Sequence, residues 1–264
     1  MKKSILALLL LPAGLVAFSQ KKEKLLKGMY LQWGYNTEWY TNSSIHFKGS
    51  VNGVPHDFTI YHARAHDQND LSAVYKEPTQ VSVPQYNYRI GFYLNDNHTR
   101  AIEINYDHTK YVVYDNQLLH AKGFIGNDSF DKDTSFSGSQ MHFEHTNGAN
   151  FYQINYVRAY NLKTKRHRSF ISALWKGGAG ILIPKTDVTL FGKRLDNRFH
   201  VAGYCVGLEG GAKIYPFSTH LFFEGTAKTG YANYLNALTV DGGKASHHFG
   251  YFELIGLVGY DINF

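Results

Sequence analysis

From residue 28 onward the chain is organised by alternation of apolar and polar side chains. The last segment, 249–264, reads FGYFELIGLVGYDINF. Phe252, Leu254, Val258, Tyr260, Ile262 and Phe264 share one parity, with only Gly256 interrupting the apolar row. Tyr251, Glu253, Gly259, Asp261 and Asn263 share the other, which Ile255 and Leu257 make mixed near its middle. Period 2 is the strand period, because successive side chains point to opposite faces of a pleated strand.

Counting back from this segment, the same pattern predicts eight strands, over 28–40, 84–94, 99–114, 148–161, 169–183, 199–214, 219–232 and 249–264. One parity is apolar, as in Leu31, Ile90, Ile104, Ile154, Trp175, Ala202, Leu208 and Phe223. The other carries Glu38, Arg89, Glu103, Asp107, Lys176, Glu209, Lys213, Glu224, Lys228, Glu253 and Asp261, with signs interspersed. Arg158 has the apolar parity but stands near a strand end, where a long side chain reaches back to headgroups. Connections alternate between short (95–98, 162–168, 215–218) and long (41–83, 115–147, 184–198, 233–248). Within the first long one, Asn52-Gly53 between two alternating runs predicts a hairpin. We place that hairpin, 44–62, above the barrel; crossing the membrane, it would raise the strand count to ten.

This pattern predicts an all-β fold: a transmembrane, antiparallel up-and-down β-barrel of eight strands. Its short turns are periplasmic and its long loops extracellular. Closure removes the sheet edge that lipid cannot satisfy. Eight strands enclose only enough room for side chains, so the inward charges are expected to form a polar network across the lumen. The barrel resembles the small Gram-negative outer-membrane barrels of the OmpA-membrane-domain, OmpX and OmpW type. In such barrels a terminal aromatic is part of the signal read by the assembly machinery, which here implicates Tyr260, Ile262 and Phe264.

The N-terminus changes the compartment, not the fold. Lys2 and Lys3, the apolar run 5–16, and small residues at Ala17 and Ser19 read as a cleaved signal peptide over 1–19. A periplasmic tail (20–27) and the barrel (28–264) follow. Composition agrees with strands that face lipid on one side: 20 Tyr, 18 Phe and 25 Gly, with a mean hydropathy of −0.33. The formal charge of +6, less Lys2 and Lys3, leaves about +4 on the exported chain. Export and the lack of a binding motif argue against nucleic acid as a partner. Cys205 is alone, which excludes a disulfide framework and a cysteine metal site.

Candidate chemistry is sparse. His56, His62, His66 and Asp67 in the first long loop, Asp128, Asp131 and Asp133 in the second, and His247-His248 match no metal-ligand spacing, and we read them as polar loop residues. No cofactor is implied. Phe143-Glu144-His145-Thr146-Asn147 loosely resembles the His-x-Ser-Asn segment of outer-membrane lipid A deacylases. That resemblance makes His145 a base, with Glu144 beside it, although Asn147 stands at the nucleophile position. The favoured function is non-enzymatic: binding, adhesion or a complex subunit, acting through the loops. Partners are then outer-membrane lipids and lipopolysaccharide, the assembly machinery and other outer-membrane proteins. The alternatives are a lipid A acyl hydrolase using His145 and a narrow channel.

Overall fold

The computed structural model describes residues 26–69, 71–76, 85–165, 168–217 and 220–264. The signal peptide (1–19), most of the tail (20–25) and parts of two short turns (166–167 and 218–219) lie outside these residues. In chain order the first strands are β1 (Gly28–Tyr40), β2 (Ser43–Val51), β3 (Val54–Ala63), β4 (Ala65–His66), β5 (Tyr86–Tyr93), β6 (Arg100–Asp107), β7 (Tyr111–Val113), β8 (Leu118–Ile125) and β9 (Asp128–Ser135). There follow β10 (Met141–His145), β11 (Phe151–Lys165), β12 (Arg168–Leu182), β13 (Asp187–Leu190), β14 (Lys193–Asp196), β15 (Gly203–Ile214), β16 (Leu221–Leu238) and β17 (Lys244–Asn263). A single α-helical turn, Leu71–Lys76, lies between β4 and β5.

Eight of these strands close on themselves in the order β1-β5-β6-β11-β12-β15-β16-β17. β17 pairs back onto β1 from Tyr40↔Tyr251 to Gly28↔Asn263, so the wall has no free edge. Burial alternates along each strand as the pleat requires. In β5, Tyr88 and Ile90 are exposed while Asn87 and Arg89 are fully covered. An apolar exterior this continuous is unfavourable in water, and lipid is its natural solvent. Two inward glycines set the packing of the lumen. A Cβ on Gly91 would lie 1.9 Å from Cζ of Tyr30, and one on Gly259 would lie 2.2 Å from Cζ of Phe222. Each glycine is a seat for an aromatic ring from the neighbouring strand.

The long connections are folded, not loose. Residues Lys244–His247 of β17 rise above the barrel and pair with β2, which carries β3, β8 and β9 as a continuation of the same sheet. A second sheet, β14-β13-β10-β7-β4, lies across from it. Phe47, Phe58, Ile60, Phe143, Val188 and Leu190 fill the space between the two, and the same core runs down through Tyr111, Tyr234, Phe249 and Phe151 into the barrel mouth. The two sheets form a cap. The 44–62 hairpin belongs to this cap and adds no strand to the barrel, because β2 meets β17 only above its contact with β1.

Four boundaries differ from the sequence reading. The strand expected over 99–114 stops at Asp107, and Tyr111–Val113 join the second sheet. All three of those residues are buried, and only the cap covers both faces of a strand. Between them the chain is pinned where Ala149 N–H donates to the Thr109 carbonyl at 2.8 Å. The polar loop expected over 233–248 is mostly ladder, because β16 and β17 stay paired to Leu238↔Lys244. That leaves a turn in which Asp241 and Gly242 take φ of 50° and 77°. The strand expected from 199 begins at Gly203, and Ala202 is buried instead of outward, with its N–H on the Leu182 carbonyl at 2.8 Å. β11 and β12 remain paired to Lys165↔Arg168, past the expected turn at 162.

Candidate functional site

The interior is a dense ion-paired plug. Arg89 and Lys176 stand at its centre with no exposed side-chain surface to speak of. The Arg89 guanidinium donates to Glu209 at 2.7 Å and lies 3.5 Å from Glu103 and 3.7 Å from Asp107. Lys176 Nζ reaches Glu224 at 2.6 Å, Glu103 at 2.9 Å and Glu209 at 3.5 Å. Lys228 holds Asp107 and lies 3.8 Å from Glu253. Lys213 is 4.0 Å from Glu224 and sits 4.0 Å from the centre of the Phe222 ring.

Neutral groups complete the bonding. Tyr30 donates to Glu103 at 2.7 Å, Asn36 to Glu253 at 2.7 Å, and Tyr93 to Asp261 at 2.7 Å. Arg89, Lys176, Lys213 and Lys228 lie within ion-pair distance of five buried carboxyl groups, Glu103, Asp107, Glu209, Glu224 and Glu253, and every cation but Lys213 is shared among two or more of them. Glu38 differs from the expected cross-lumen pairing. It lies where barrel meets cap, accepts a hydrogen bond from Tyr40, and has no described lysine or arginine within ion-pair distance. Its backbone N–H donates to Asp67 at 2.9 Å, which ties β1 to the chain after β4.

In the cap, His145 and Glu144 lie on opposite faces of β10, as strand parity dictates, and do not touch. His145 is fully buried, with Nε2 3.2 Å from Nε2 of His247 and Nδ1 3.1 Å from the Thr186 hydroxyl. His247 continues the line to Ser43 Oγ at 3.4 Å. Both rings stack on Tyr234, with centroids 4.8 and 4.7 Å away. Burial, with the His200 imidazole adding to it, pushes His145 down to about 3, and burial holds His247 well below its ordinary value. Both are neutral at pH 7. The described side-chain partners of His145 are thus an imidazole and a hydroxyl, and Glu144 is not one of them. Sequence alone could not show the His145–His247 contact, which joins residues 102 apart.

Glu144 instead accepts from His142 Nε2 at 3.0 Å and from the Thr146 hydroxyl at 2.7 Å, while His142 Nδ1 lies 2.9 Å from Asp115. Clasped between two carboxylates, His142 is raised to about 9. Asp187, the strand partner of Glu144, is held low by a two-pronged contact with Arg194. The signs give a stability profile for the cap. The His142 contribution is complete below about pH 6.5 and is lost as pH rises through about 9. His145 and His247 are depressed, so their contribution is present above about pH 6.5 and is lost on acidification. Thermal unfolding of the cap, followed by near-ultraviolet circular dichroism, should therefore peak near neutrality. In His142→Gln the alkaline fall should flatten while the acid fall stays.

The remaining sequence candidates do not converge. His56 is buried against Phe58 and Phe191, His62 is exposed at φ 56°, and the His66 ring lies tilted against Tyr114 with centroids 4.5 Å apart. Asp131 and Asp133 are both engaged by His120, each at 3.0 Å, and Asp131 also by Lys122 at 2.8 Å. His247 points into the cap core and His248 outward. Among the described residues no set of three His, Cys, Asp or Glu is placed to hold a metal ion. Tyr260, Ile262 and Phe264 all lie on the outer face at the terminal end of β17.

No protein-family model matches the chain, and no curated protein sequence matches it. Solved structures similar to it are outer-membrane proteins at low identity. The outer membrane protein OprG from Pseudomonas aeruginosa is 12% identical with a TM-score of 0.42, covering 90% of this chain and 97% of its own. Neisserial surface protein A is 14% identical with a TM-score of 0.37, covering 89% and 97%. Ail, the attachment invasion locus protein of Yersinia pestis, is 11% identical with a TM-score of 0.36, covering 90% and 99%. A closed wall of eight antiparallel strands, apolar outside and ion-paired within, is the architecture of a small transmembrane β-barrel of the outer membrane.

Proposed function

We propose that this protein is a non-enzymatic outer-membrane barrel that presents its folded cap to the cell exterior as a rigid binding surface, for adhesion or as a subunit of a larger assembly. One observation carries the reading: the long connections build a two-sheet cap whose core is continuous with the barrel mouth. A filled lumen under a sealed mouth conducts poorly, and a buried His145 offers no base to a lipid. A preorganised surface, by contrast, binds without the ordering cost that loose loops incur. The outermost strand, β9, and the exposed face of β8 carry Leu118, His120, Lys122, Asp131 and Asp133, a mixed surface suited to a protein or glycan partner. Export through a cleaved signal at 1–19, and recognition of Tyr260, Ile262 and Phe264 by the assembly machinery, belong to the same proposal.

The test is affinity capture of the mature protein from gently solubilised outer membrane, beside a variant carrying Leu118→Ser, His120→Glu and Lys122→Glu. A partner retained by the wild type and lost by the variant supports the cap surface. Two results would overturn it. One is a change in lipid A acyl chains that depends on the gene and disappears in His145→Ala. The other is single-channel conductance by the purified barrel.

A further inference from the structure

Among the described residues, the outer wall carries a pair of charges that the barrel itself does not explain. Arg100, the first residue of β6, and Arg158 of β11 are direct cross-strand partners. Both have the parity of the lipid-facing Ile102, Ile104, Ile154 and Tyr156, so their side chains leave the same face of the sheet. Like charges directly opposite each other destabilise a strand pair. Neither arginine has a carboxylate partner among the described residues; the Arg158 guanidinium instead lies 5.2 Å from the centre of the Tyr160 ring. The local electrostatics lack an anion.

The neighbours fix the height of the pair in the bilayer. Trp175 is the cross-strand partner of Arg158 on its other side, with the Tyr156 ring 5.8 Å from it. Tyr160 is half exposed on the same face. Tryptophan and tyrosine collect at the headgroup level of a membrane, where lipid phosphates lie. Guanidinium forks match phosphate oxygens two at a time, and they do so best where water is scarce. We propose that Arg100 and Arg158 together bind the phosphate of an anionic glycerophospholipid in the leaflet at the end of the barrel where β1 begins and β17 ends.

A zwitterionic lipid fits this site less well, because its ammonium would face the second guanidinium. The headgroup selected is therefore a phosphodiester without a cation, as in phosphatidylglycerol. The orientation given under the proposed function makes this the periplasmic leaflet; the site itself rests only on the wall geometry.

The experiment is native mass spectrometry of the mature, full-length protein in mild detergent with equal phosphatidylglycerol and phosphatidylethanolamine. The wild type should carry phosphatidylglycerol adducts in about fivefold preference, the scale expected for one basic residue near an anionic surface. Arg100→Gln/Arg158→Gln should bring the two lipids to parity, and Arg64→Gln on the cap should change nothing. Arg158→Glu provides the variant that keeps its fold. It places a carboxylate opposite Arg100, so it should retain the heat-modifiable gel mobility of a folded barrel while losing the adducts. Equal adducts on the wild type, or undiminished phosphatidylglycerol on Arg158→Glu, would overturn the assignment. Labelling of cap lysines on intact cells with an impermeant reagent tests the orientation separately.

Discussion

Replacing Arg89 with methionine should lower the unfolding free energy of the barrel by about 3–5 kcal/mol. The guanidinium is completely buried and stands among Glu209, Glu103 and Asp107 at 2.7, 3.5 and 3.7 Å. Methionine fills much of the same volume, so a cavity is not the main cost. The loss comes from carboxylates left facing one another in a region water does not reach, where an unpaired charge is far more expensive than a paired one. Lys176 already serves Glu103, Glu209 and Glu224 and has no spare capacity. Urea unfolding in detergent, read by gel mobility, measures the effect. Arg89→Met/Glu209→Gln should recover part of it, because the acid that Arg89 contacts most closely is then neutral. A loss under about 1 kcal/mol in the single variant would mean that the lumen is hydrated.

The second large effect belongs to the cap. Phe143→Ala should cost about 3–5 kcal/mol of cap stability, the usual range for a buried phenylalanine. The ring is 1% exposed and stands edge-on to Phe47 at 5.5 Å and to His145 at 5.0 Å. It therefore joins the two sheets and covers the histidine pair at once. Because β10 pairs only with strands of the second sheet, the eight barrel strands keep every partner they have. Limited proteolysis should then cut the 118–135 hairpin in the variant while heat-modifiable mobility of the barrel persists. Simultaneous loss of both would show that cap and barrel unfold as one unit. Phe143→Leu, which keeps most of the volume, should fall well short of the alanine effect.

These two predictions rest on regions that were unequally visible in the chain. The charges around Arg89 could be assigned to the interior from parity alone, because each alternates with a lipid-facing neighbour such as Tyr88 or Ile90. Their bonding could not. Glu38 has the same parity as Asn36, yet it serves the seam with the cap while Asn36 bonds Glu253. The cap was hidden for a different reason. Its strands are short and joined by turns, and Tyr111–Val113 form an apolar run with no alternation, so each looks like the end of a longer strand or part of a loop. The hairpin at Asn52-Gly53 was legible because its turn chemistry is local. That it is one layer of a cap was not, since its cover comes from residues after 110 and 187.

His145 shows where reading by neighbours fails. Adjacent residues on a strand point apart, so Glu144 was never available to orient it, and the group that meets it is His247 on the closing strand. The closing strand was recognisable by its period over 249–264, though not its extension back to Lys244, and its outward row ending at Phe264 followed directly. By itself the sequence determined the repeating elements: strand period, facing, order along the chain and the lipid-facing side. All of these depend on residues one or two positions apart. Only the tertiary structure decided that the loops are a sealed cap, which acids share which cation, and that two arginines meet on the outer wall. Those outcomes depend on strand register and on packing between segments distant in the chain, and neither is written in any local pattern.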